Sequence, residues 1–537
     1  MESLQCTERT RILQIVFIQV VCAMSMATQI CPYNTSFEYE VFPQLQLPAS
    51  VSKVDVATLT KTCKCVYDTL TCSSLDNLAP LYTGADALNI TSFNLWNGNI
   101  TSISRNSLPP GLNSIYFYDH PMTNISDDAF YSSAQTLNSL TIIGARFRQL
   151  PKALLVLTNL TSLQIQQTPK QDWDDSILQH IIANVTHLIL KNVGLNKWPA
   201  SISSCHTLVN LDLSDNPLKT IPQQAFLSFA YTLKELDLGH TALTQIPIAL
   251  SSLQNLTTLD LGGLALNNAH DVEKLASMPF GDHLMFLNLE SSQLKTILNF
   301  SSFTNLTAVM LNNNSISDAT SGSFPFSLSD LFLANNHLSS VPTSVADLPH
   351  LASLYLSHNQ ITSIEPDSLP PSLTRLDLTY NKIKVITNTS FVNMTNLSYL
   401  QLSSNPISTI DPSAFLDLVS LKNLGLGDIP LTEIPLFMAT LPRDIDLYMI
   451  IYDRIPCPCP PPQELVDWMK LSNETVNFSV DCDSYISIEL YLTTGCDSTS
   501  TVATVATPGG ASTLQCCLFS LGSSVLLLTT VFWVFLY

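Results

Sequence analysis

The sequence predicts an α/β repeat solenoid, because one apolar motif recurs along most of its 537 residues. The motif reads LxxLxLxxNxL, or a close variant, and occurs about fifteen times over residues 90–444. Successive copies begin about 22–25 residues apart, with one interval of about 28, and such a period is typical of stacked coils. The first apolar residues of the copies are Ile90, Leu112, Leu137, Leu160, Val185, Leu208, Leu233, Leu256, Leu284, Leu306, Leu328, Leu351, Leu373, Leu397 and Leu421.

Within each copy, the spacing predicts which side chains point inward. Leucines at the first, fourth and sixth positions should stack on those of the next coil, because side chains alternate along a strand. The asparagine at the ninth position should turn inward and bind backbone groups of the bend. These asparagines are Asn216, Asn314, Asn336, Asn359, Asn381 and Asn405. The longest interval lies between Leu256 and Leu284, and we expect residues 267–283 to loop out there.

Both ends of the chain predict export to the cell surface. Residues 1–27 combine Arg9 and Arg11 with a short apolar run and small residues, which is the pattern of a signal peptide. A Ser/Thr-rich stalk over residues 498–513 precedes an apolar tail over residues 514–537, and no Lys or Arg follows Lys470. These features fit a GPI-attachment signal with Gly510 as the attachment residue. The alternative is a single C-terminal transmembrane helix.

The cysteines predict disulfide-bonded caps at both ends of the repeats. Four of them lie in residues 28–89 and four in residues 445–497, whereas Cys205 alone lies inside the repeats. Caps are needed because the first and last coils otherwise expose their leucine faces. A zinc site is the alternative for such spacings, but no histidine lies beside either group. The two groups are Cys31, Cys63, Cys65 and Cys72, and Cys457, Cys459, Cys482 and Cys496.

Together with the motif and its period, these cysteine spacings resemble those of extracellular leucine-rich-repeat proteins. The order of signal, cap, repeats, cap, stalk and tail resembles that of GPI-anchored leucine-rich-repeat receptors of the cell surface. The resemblance implies a horseshoe with a parallel β-sheet on its concave face. It also implies that Cys31 pairs with Cys65 and Cys63 with Cys72, although the gap between Cys31 and Cys63 is longer than the family usually has.

Charge and motif content exclude several classes of function. The net charge of −20 at pH 7 repels nucleic acid and anionic lipid, so we expect no nucleic-acid partner. The sequence contains no Gly-rich phosphate loop, metal-binding signature or nucleophile motif, so we expect neither a cofactor nor an enzyme. The enzyme alternative is a catalytic group assembled across coils, such as Asp237, His240 and Asp260.

Six glycosylation sequons share one position in the repeat. Each asparagine stands one residue before the leading apolar residue of a copy, so all six should lie on the same rim of the horseshoe. Glycans there would leave the concave face and the other rim open. The six asparagines are Asn89, Asn159, Asn184, Asn255, Asn305 and Asn396.

The binding face should be formed by strand positions that point away from the core, chiefly the fifth. Three groups of side chains result, which we call the acidic block, the aromatic block and the N-terminal aromatic cluster. Aromatic side chains on an exposed face are frequent anchors for a partner. The aspartates have two interpretations, cation binding or simple solubility of the strand face, and the N-terminal cluster either shields the cap or stacks on sugar rings. The groups are Asp212, Asp237 and Asp260; Met310, Phe332 and Tyr355 with His358 and Tyr380; and Trp96, Tyr116 and Tyr118.

The sequence therefore predicts a cell-surface recognition or adhesion protein. Its ligand would be a protein, a peptide or a glycan, bound on the concave face without catalysis. Because no cytoplasmic segment is predicted, signalling would require a transmembrane co-receptor, and a lipid would hold the protein at the outer face of the plasma membrane. The alternative is a structural or wall-coat glycoprotein in which the repeats act as a spacer.

Overall fold

The computed structural model describes residues 63–66, 68–75, 90–105, 107–168, 175–266, 268–451, 453–471, 476–483 and 486–495. The predicted signal peptide, stalk and tail lie outside these residues, as do Cys31, Cys496, Asn89 and Gly510. Among the described residues, no helix is both long enough and apolar enough to cross a membrane.

A sheet of 19 strands runs through the described chain, and each of its strands pairs with the next one in sequence. All pairs are parallel except β1 with β2, which is antiparallel. The sheet strands are β1 (Cys63–Val66), β2 (Thr69–Ser73), β3 (Ser92–Trp96), β5 (Ser114–Tyr118), β7 (Ser139–Ile143), β8 (Ser162–Gln166), β9 (His187–Lys191), β10 (Asn210–Asp212), β11 (Glu235–Asp237), β12 (Thr258–Asp260), β13 (Phe286–Asn288), β14 (Ala308–Met310), β15 (Asp330–Phe332), β16 (Ser353–Tyr355), β17 (Arg375–Asp377), β19 (Tyr399–Gln401), β21 (Asn423–Gly427), β22 (Asp446–Ile450) and β23 (Val476–Ser479). The remaining strands form two short parallel pairs: β4 (Ser102–Ile103) with β6 (Asn124–Ile125), and β18 (Val385–Ile386) with β20 (Thr409–Ile410).

Each of the fifteen predicted copies supplies one strand of this sheet, from β3 to β21. Strands β1 and β2 precede the first copy, and β22 and β23 follow the last. The predicted horseshoe solenoid, with its parallel sheet on the concave face, is therefore confirmed.

The segments between sheet strands return over the convex side, and eight of them contain a 3-10 helix in the described chain. The expectation that residues 267–283 loop out is wrong, because they contain the longest of these helices. Its Val272 and Leu275 are fully buried three residues apart, so the helix packs against the core. The 3-10 helices are Tyr131–Ser133, Lys152–Val156, Ala200–Ser204, Leu227–Phe229, Ile248–Ser252, Ala269–Ser277, Thr343–Val345 and Leu436–Thr440. The α-helices are α1 (Asp175–Ile181), α2 (Gln463–Leu471) and α3 (Ile488–Thr494).

The core is one continuous hydrophobic stack along the array, and leucine is its most frequent residue. In the sixth copy, Leu208, Leu211 and Leu213, at the first, fourth and sixth positions, are all fully buried. Leu211 lies opposite Leu236 in the β10–β11 pair, and Leu236 lies opposite Leu259 in the β11–β12 pair. Each coil thus buries its apolar face against its neighbours, and a Leu-to-Ala change in this stack should destabilise the fold by about 2–5 kcal/mol.

The inward asparagines form the predicted ladder of hydrogen bonds. In the Asn314 side chain, Nδ2 donates to the carbonyl oxygens of Leu289 and Leu311 over 2.9 and 3.0 Å. Its Oδ1 accepts from the amides of Ser292 and Leu294 over 3.0 and 2.9 Å. One side chain therefore satisfies backbone groups in two consecutive coils. Asn216, Asn336, Asn359, Asn381 and Asn405 are buried and bonded in the same way.

Disulfides are present in both cap regions. Cys457 is bonded to Cys482, with their Cα atoms 5.6 Å apart, and Cys459 is also disulfide-bonded. In the N-terminal region, Cys72 is disulfide-bonded, and the backbone register of β1 and β2 places Cys63 opposite it. The pairing implied by the family resemblance stays a prediction. Inside the repeats, Cys205 is a buried free thiol whose Sγ lies 3.3 Å from the carbonyl oxygen of Val185.

Candidate ligand-binding face

The concave face carries the outward side chains of the sheet. In the three-residue strands β10 to β17, the central residue is buried and the two flanking residues point outward. Parallel pairing in register brings equivalent positions of successive coils side by side, with strands about 4.8 Å apart. The outward residues therefore form two columns, from the third and the fifth motif positions.

The structure brings the aromatic block together. Met310, Phe332 and Tyr355 are consecutive register partners across β14, β15 and β16. The Phe332 and Tyr355 rings stack with their centroids 4.8 Å apart and their planes 4° from parallel. Just beyond the strand ends, the His358 and Tyr380 rings stack over 4.3 Å. Tyr380 is 56% exposed, so this surface is open to a partner.

Two further side chains, Arg375 and Tyr399, extend the aromatic block. Arg375 Nη1 donates to the Tyr355 hydroxyl over 3.3 Å, and the guanidinium lies 5.1 Å from the centroid of the Tyr399 ring. The hydrogen bond to Tyr355 raises the pKa of Arg375 above its ordinary value. Sequence reasoning missed both residues because it followed the fifth motif position, whereas they stand at the third. A scan of both outward columns would have found them.

The acidic block is also brought together. Asp212, Asp237 and Asp260 are register partners across β10, β11 and β12. The pKa of Asp237 is raised to about 8, first by burial and then by the neighbouring carboxylates of Asp212 and Asp260. Burial also raises the pKa of Asp212. Burial and the repulsion between neighbouring carboxyl groups therefore favour the protonated form of Asp237 near neutral pH.

These carboxyl groups have a structural role that the sequence analysis did not assign. Asp212 Oδ1 accepts from the Ser214 amide over 2.8 Å and also from its hydroxyl. Asp237 and Asp260 accept in the same way from the amides of Gly239 and Gly262, each over 2.8 Å. Each aspartate thus closes the turn that ends its own strand. Cation binding by the acidic block stays a prediction.

The catalytic alternative would require His240 to contact Asp237 or Asp260. His240 adopts a left-handed backbone conformation with φ of 52°. Its ring lies over Gly263, where an added Cβ atom would stand 2.2 Å from Nδ1. In the described part of the chain, no hydrogen bond joins His240 to Asp237 or Asp260.

Five of the six sequon asparagines lie in the described chain, and all five are exposed. Each side-chain Nδ2 donates to a carbonyl oxygen in the preceding coil, over distances between 2.5 and 3.4 Å. An amide nitrogen has two hydrogens, so each Nδ2 can keep this bond with one of them and carry a sugar in place of the other. The acceptors for Asn159, Asn184, Asn255, Asn305 and Asn396 are Gln135, Thr158, Tyr231, Asp282 and Pro371.

Comparison with known proteins identifies repeats over much of the described array. Residues 206–268, 326–369 and 371–428 match the leucine rich repeat family. Residues 82–192 match the BspA type leucine rich repeat region, and the matches together cover about half of the chain.

Two relatives illustrate how far the sequence likeness extends. Keratocan of Gallus gallus is 31% identical over 228 residues, which are 40% of this chain and 62% of keratocan. Podocan-like protein 1 of Mus musculus is 30% identical over 215 residues, which are 37% of this chain and 36% of that protein. The chain thus spans less than two thirds of the length of either relative.

Among solved structures, the mouse RP105/MD-1 complex is similar with a TM-score of 0.54 and 18% sequence identity. The likeness covers 80% of this chain and 77% of that chain. At this identity the comparison shows the fold alone, and it agrees with the parallel sheet described above.

Proposed function

The chain belongs to the leucine-rich-repeat superfamily, and from this premise we propose that it is a non-catalytic recognition protein of the cell surface. Its partner is a protein or peptide that binds the concave face at the aromatic block, extended by Arg375 and Tyr399. The observation that carries this proposal is the continuous contact of the Phe332, Tyr355, Arg375 and Tyr399 side chains on the concave face.

The chemistry of this surface suits a protein partner. Tyrosine and arginine are enriched among the residues that contribute most to binding energy, and they cluster near the centre of an interface. Here stacking and hydrogen bonding hold the Tyr355 ring and the Arg375 guanidinium in place before a partner arrives. Such preorganisation reduces the entropy lost on binding.

The proposed location follows from features at both ends of the chain and on its rim. The predicted signal peptide and the disulfides favour the secretory pathway, and the predicted GPI signal would leave the protein on the outer face of the plasma membrane. Glycans on the rim asparagines would leave the concave face open. A protein anchored in this way needs a transmembrane co-receptor to signal, or it acts by adhesion.

A matched exchange of exposed aromatic residues tests the proposal. Phe332→Ser with Tyr355→Ser should reduce binding of the full chain to partner-bearing cells at least tenfold. The control pair is Phe326→Ser with Tyr231→Ser, since these rings are 69% and 74% exposed but lie outside the sheet. Equal binding by both pairs would instead support the spacer function of a structural glycoprotein.

Anchoring is tested separately. Treatment of intact cells with a phosphatidylinositol-specific phospholipase should release the protein into the medium. Retention on the cells would favour the single transmembrane helix.

A further inference from the structure

The first repeats present a second surface of different chemistry. Trp96 on β3 lies 4.8 Å from Tyr116 and 5.1 Å from Tyr118 on β5, measured between ring centroids. The two tyrosine rings are 5° from parallel, with centroids 6.2 Å apart. All three rings are half-buried and occupy outward positions of their strands. The N-terminal aromatic cluster is therefore a joined group of rings on the concave face.

These rings are not needed to close the core beneath them. Phe93 and Phe117, the inward neighbours on the same strands, are fully buried and meet edge to face over 6.4 Å. Strand β2 continues the sheet beyond β3, so β3 is hydrogen-bonded to a strand on each side, β2 and β5. Shielding of the core does not account for rings on the opposite face of the sheet.

The strands around the cluster are uncharged at every outward position. Across β2, β3, β5, β7 and β8, the fifteen residues at outward strand positions are serine, threonine, asparagine, glutamine, isoleucine, tyrosine or tryptophan. Thr141 and Ile143 on β7 are buried among their neighbours, and the other outward residues of β3, β5 and β8 are partly exposed. Charge begins at Lys191 on the next strand and continues with Asp212, Glu235 and Asp237. In a chain with a net charge of −20, five consecutive neutral strands about 19 Å wide form a distinct surface.

Amide side chains line this surface at a fixed distance from the rings. The register runs from Tyr116 through Thr141 to Gln164, and from Tyr118 through Ile143 to Gln166. Both glutamines thus lie two strands, or about 10 Å, from the tyrosines. Primary amides donate and accept hydrogen bonds at the same time.

We propose that the N-terminal aromatic cluster and its neutral strands bind a neutral oligosaccharide. The C–H face of a pyranose ring is slightly positive and stacks on the negative face of an aromatic ring, here on Trp96 and Tyr118. Hydroxyl groups of the next sugar units bind the amides of Gln164 and Gln166. Sulfated and uronic glycans are disfavoured, because the outward positions of these five strands offer no cation and the chain as a whole is acidic. The first cation beyond them is Lys191, which lies beside Gln166 in the register and forms an ion pair with Asp215 over 3.4 Å.

This site is independent of the proposed protein-binding site. The aromatic block begins at β14, eight strands beyond β5 along the sheet, so the two surfaces do not overlap. Loss of one activity therefore does not entail loss of the other.

A glycan array tests the inference with the full chain as probe. The neutral ligands are oligosaccharides of glucose, galactose, mannose and N-acetylglucosamine, and the anionic ones are chondroitin sulfate and polygalacturonate fragments. We expect retention on neutral ligands only, and titration calorimetry with the best ligand should show at least a tenfold loss of affinity for Trp96→Ala and Tyr118→Ser. Gln164→Ala, which changes an outward amide, tests the same site should the ring variants fail to fold.

Phe332→Ser is the matched control and should bind the oligosaccharide like the unaltered chain. Three results would each overturn the inference: no retention on any neutral ligand, a preference for the anionic ligands, or unchanged affinity in folded Tyr118→Ser and Gln164→Ala variants. Because Phe332→Ser belongs to the other surface, a failure here is distinguishable from a failure of the proposed function.

Discussion

Arg375 donates a hydrogen bond to the hydroxyl of Tyr355, over 3.3 Å between strands β17 and β16. The two residues are twenty positions apart in sequence and belong to different coils. Their contact joins the third-position column of the concave face to the fifth-position column. It therefore fixes a cation beside the stacked Phe332 and Tyr355 rings.

Substitution of Arg375 should weaken partner binding even when the positive charge is kept. Arg375→Ala removes the guanidinium and frees the Tyr355 ring, so we expect at least a tenfold loss of affinity. Arg375→Lys should restore only part of it, because an ammonium group lacks the planar fork that bonds one tyrosine and stacks on the other. Binding kinetics on partner-bearing cells measure both variants. Full restoration by lysine would show that charge alone matters.

Removal of one inward asparagine should destabilise the array. The Asn336 side chain donates to the carbonyl oxygens of Leu311 and Leu333 and accepts from the Ile316 amide. Asn336→Ala leaves these buried groups without a partner, and we expect the free energy of unfolding to fall by about 3 kcal/mol. Denaturant unfolding measures the change. The exposed Gln360→Ala is the control, with an expected effect within about 0.5 kcal/mol.

Stability should fall as pH rises through the acid and neutral range, owing to Asp237. Its pKa is about 8 in the folded chain against 3.8 for a free side chain, so folding takes up a proton between these values. Between about pH 4 and pH 8, the unfolded chain loses this proton more readily than the folded chain. The free energy of unfolding therefore falls as pH rises through this range. Asp237→Asn should make this decline less steep and raise the free energy of unfolding by about 1 kcal/mol at pH 8. Part of the decline should remain, because the pKa of Asp212 is also raised.

Melting temperatures between pH 4 and pH 8 test this expectation. Asp127→Asn, a change at an exposed carboxyl group, should leave the slope unaltered. If the melting temperature of Asp237→Asn changed with pH as it does in the unaltered chain, the raised pKa of Asp237 would not be the cause of the pH dependence.

Glycopeptide mapping should find glycans on the rim asparagines. The five described side chains are exposed and use one amide hydrogen for the preceding coil, so a sugar that replaces the other hydrogen on Nδ2 preserves the coil-to-coil bond. We expect Asn159, Asn184, Asn255, Asn305 and Asn396 to be modified in chain secreted from a glycosylating host. Unmodified peptides at all five positions would remove the proposed glycan rim.

The repeating features of the fold were predictable from sequence. The side-chain contacts between neighbouring coils on the concave face were not. The inward leucines and asparagines follow from spacing within one coil, and the structure places Leu211 and Asn314 as expected. The Arg375 contact with Tyr355 depends on the register between coils, which a motif within one coil does not show. The turn-closing role of Asp237 was missed for a different reason. Solubility, cation binding and local hydrogen bonding all favour the same residue type at that position.

Convex-side structure was the least predictable part. Residues 269–277 lie in the longest interval between two copies, outside the repeated motif. Only two apolar residues, Val272 and Leu275, mark the buried side of this helix, and two residues are too few to indicate a helix from sequence. The helix forms because these two side chains reach the core from one face.

Covalent footprinting of the full chain, free and bound to partner-bearing cells, can show whether the aromatic residues of the concave face contact the partner. A photoactivated carbene labels exposed side chains, and mass spectrometry reads the extent of labelling at each residue. We expect bound protein to lose labelling at Phe332, Tyr355 and Tyr380, while Tyr231 and Phe326 are labelled as in the free protein. Equal labelling of the concave aromatic residues in both states, or protection confined to Tyr231 and Phe326, would contradict it.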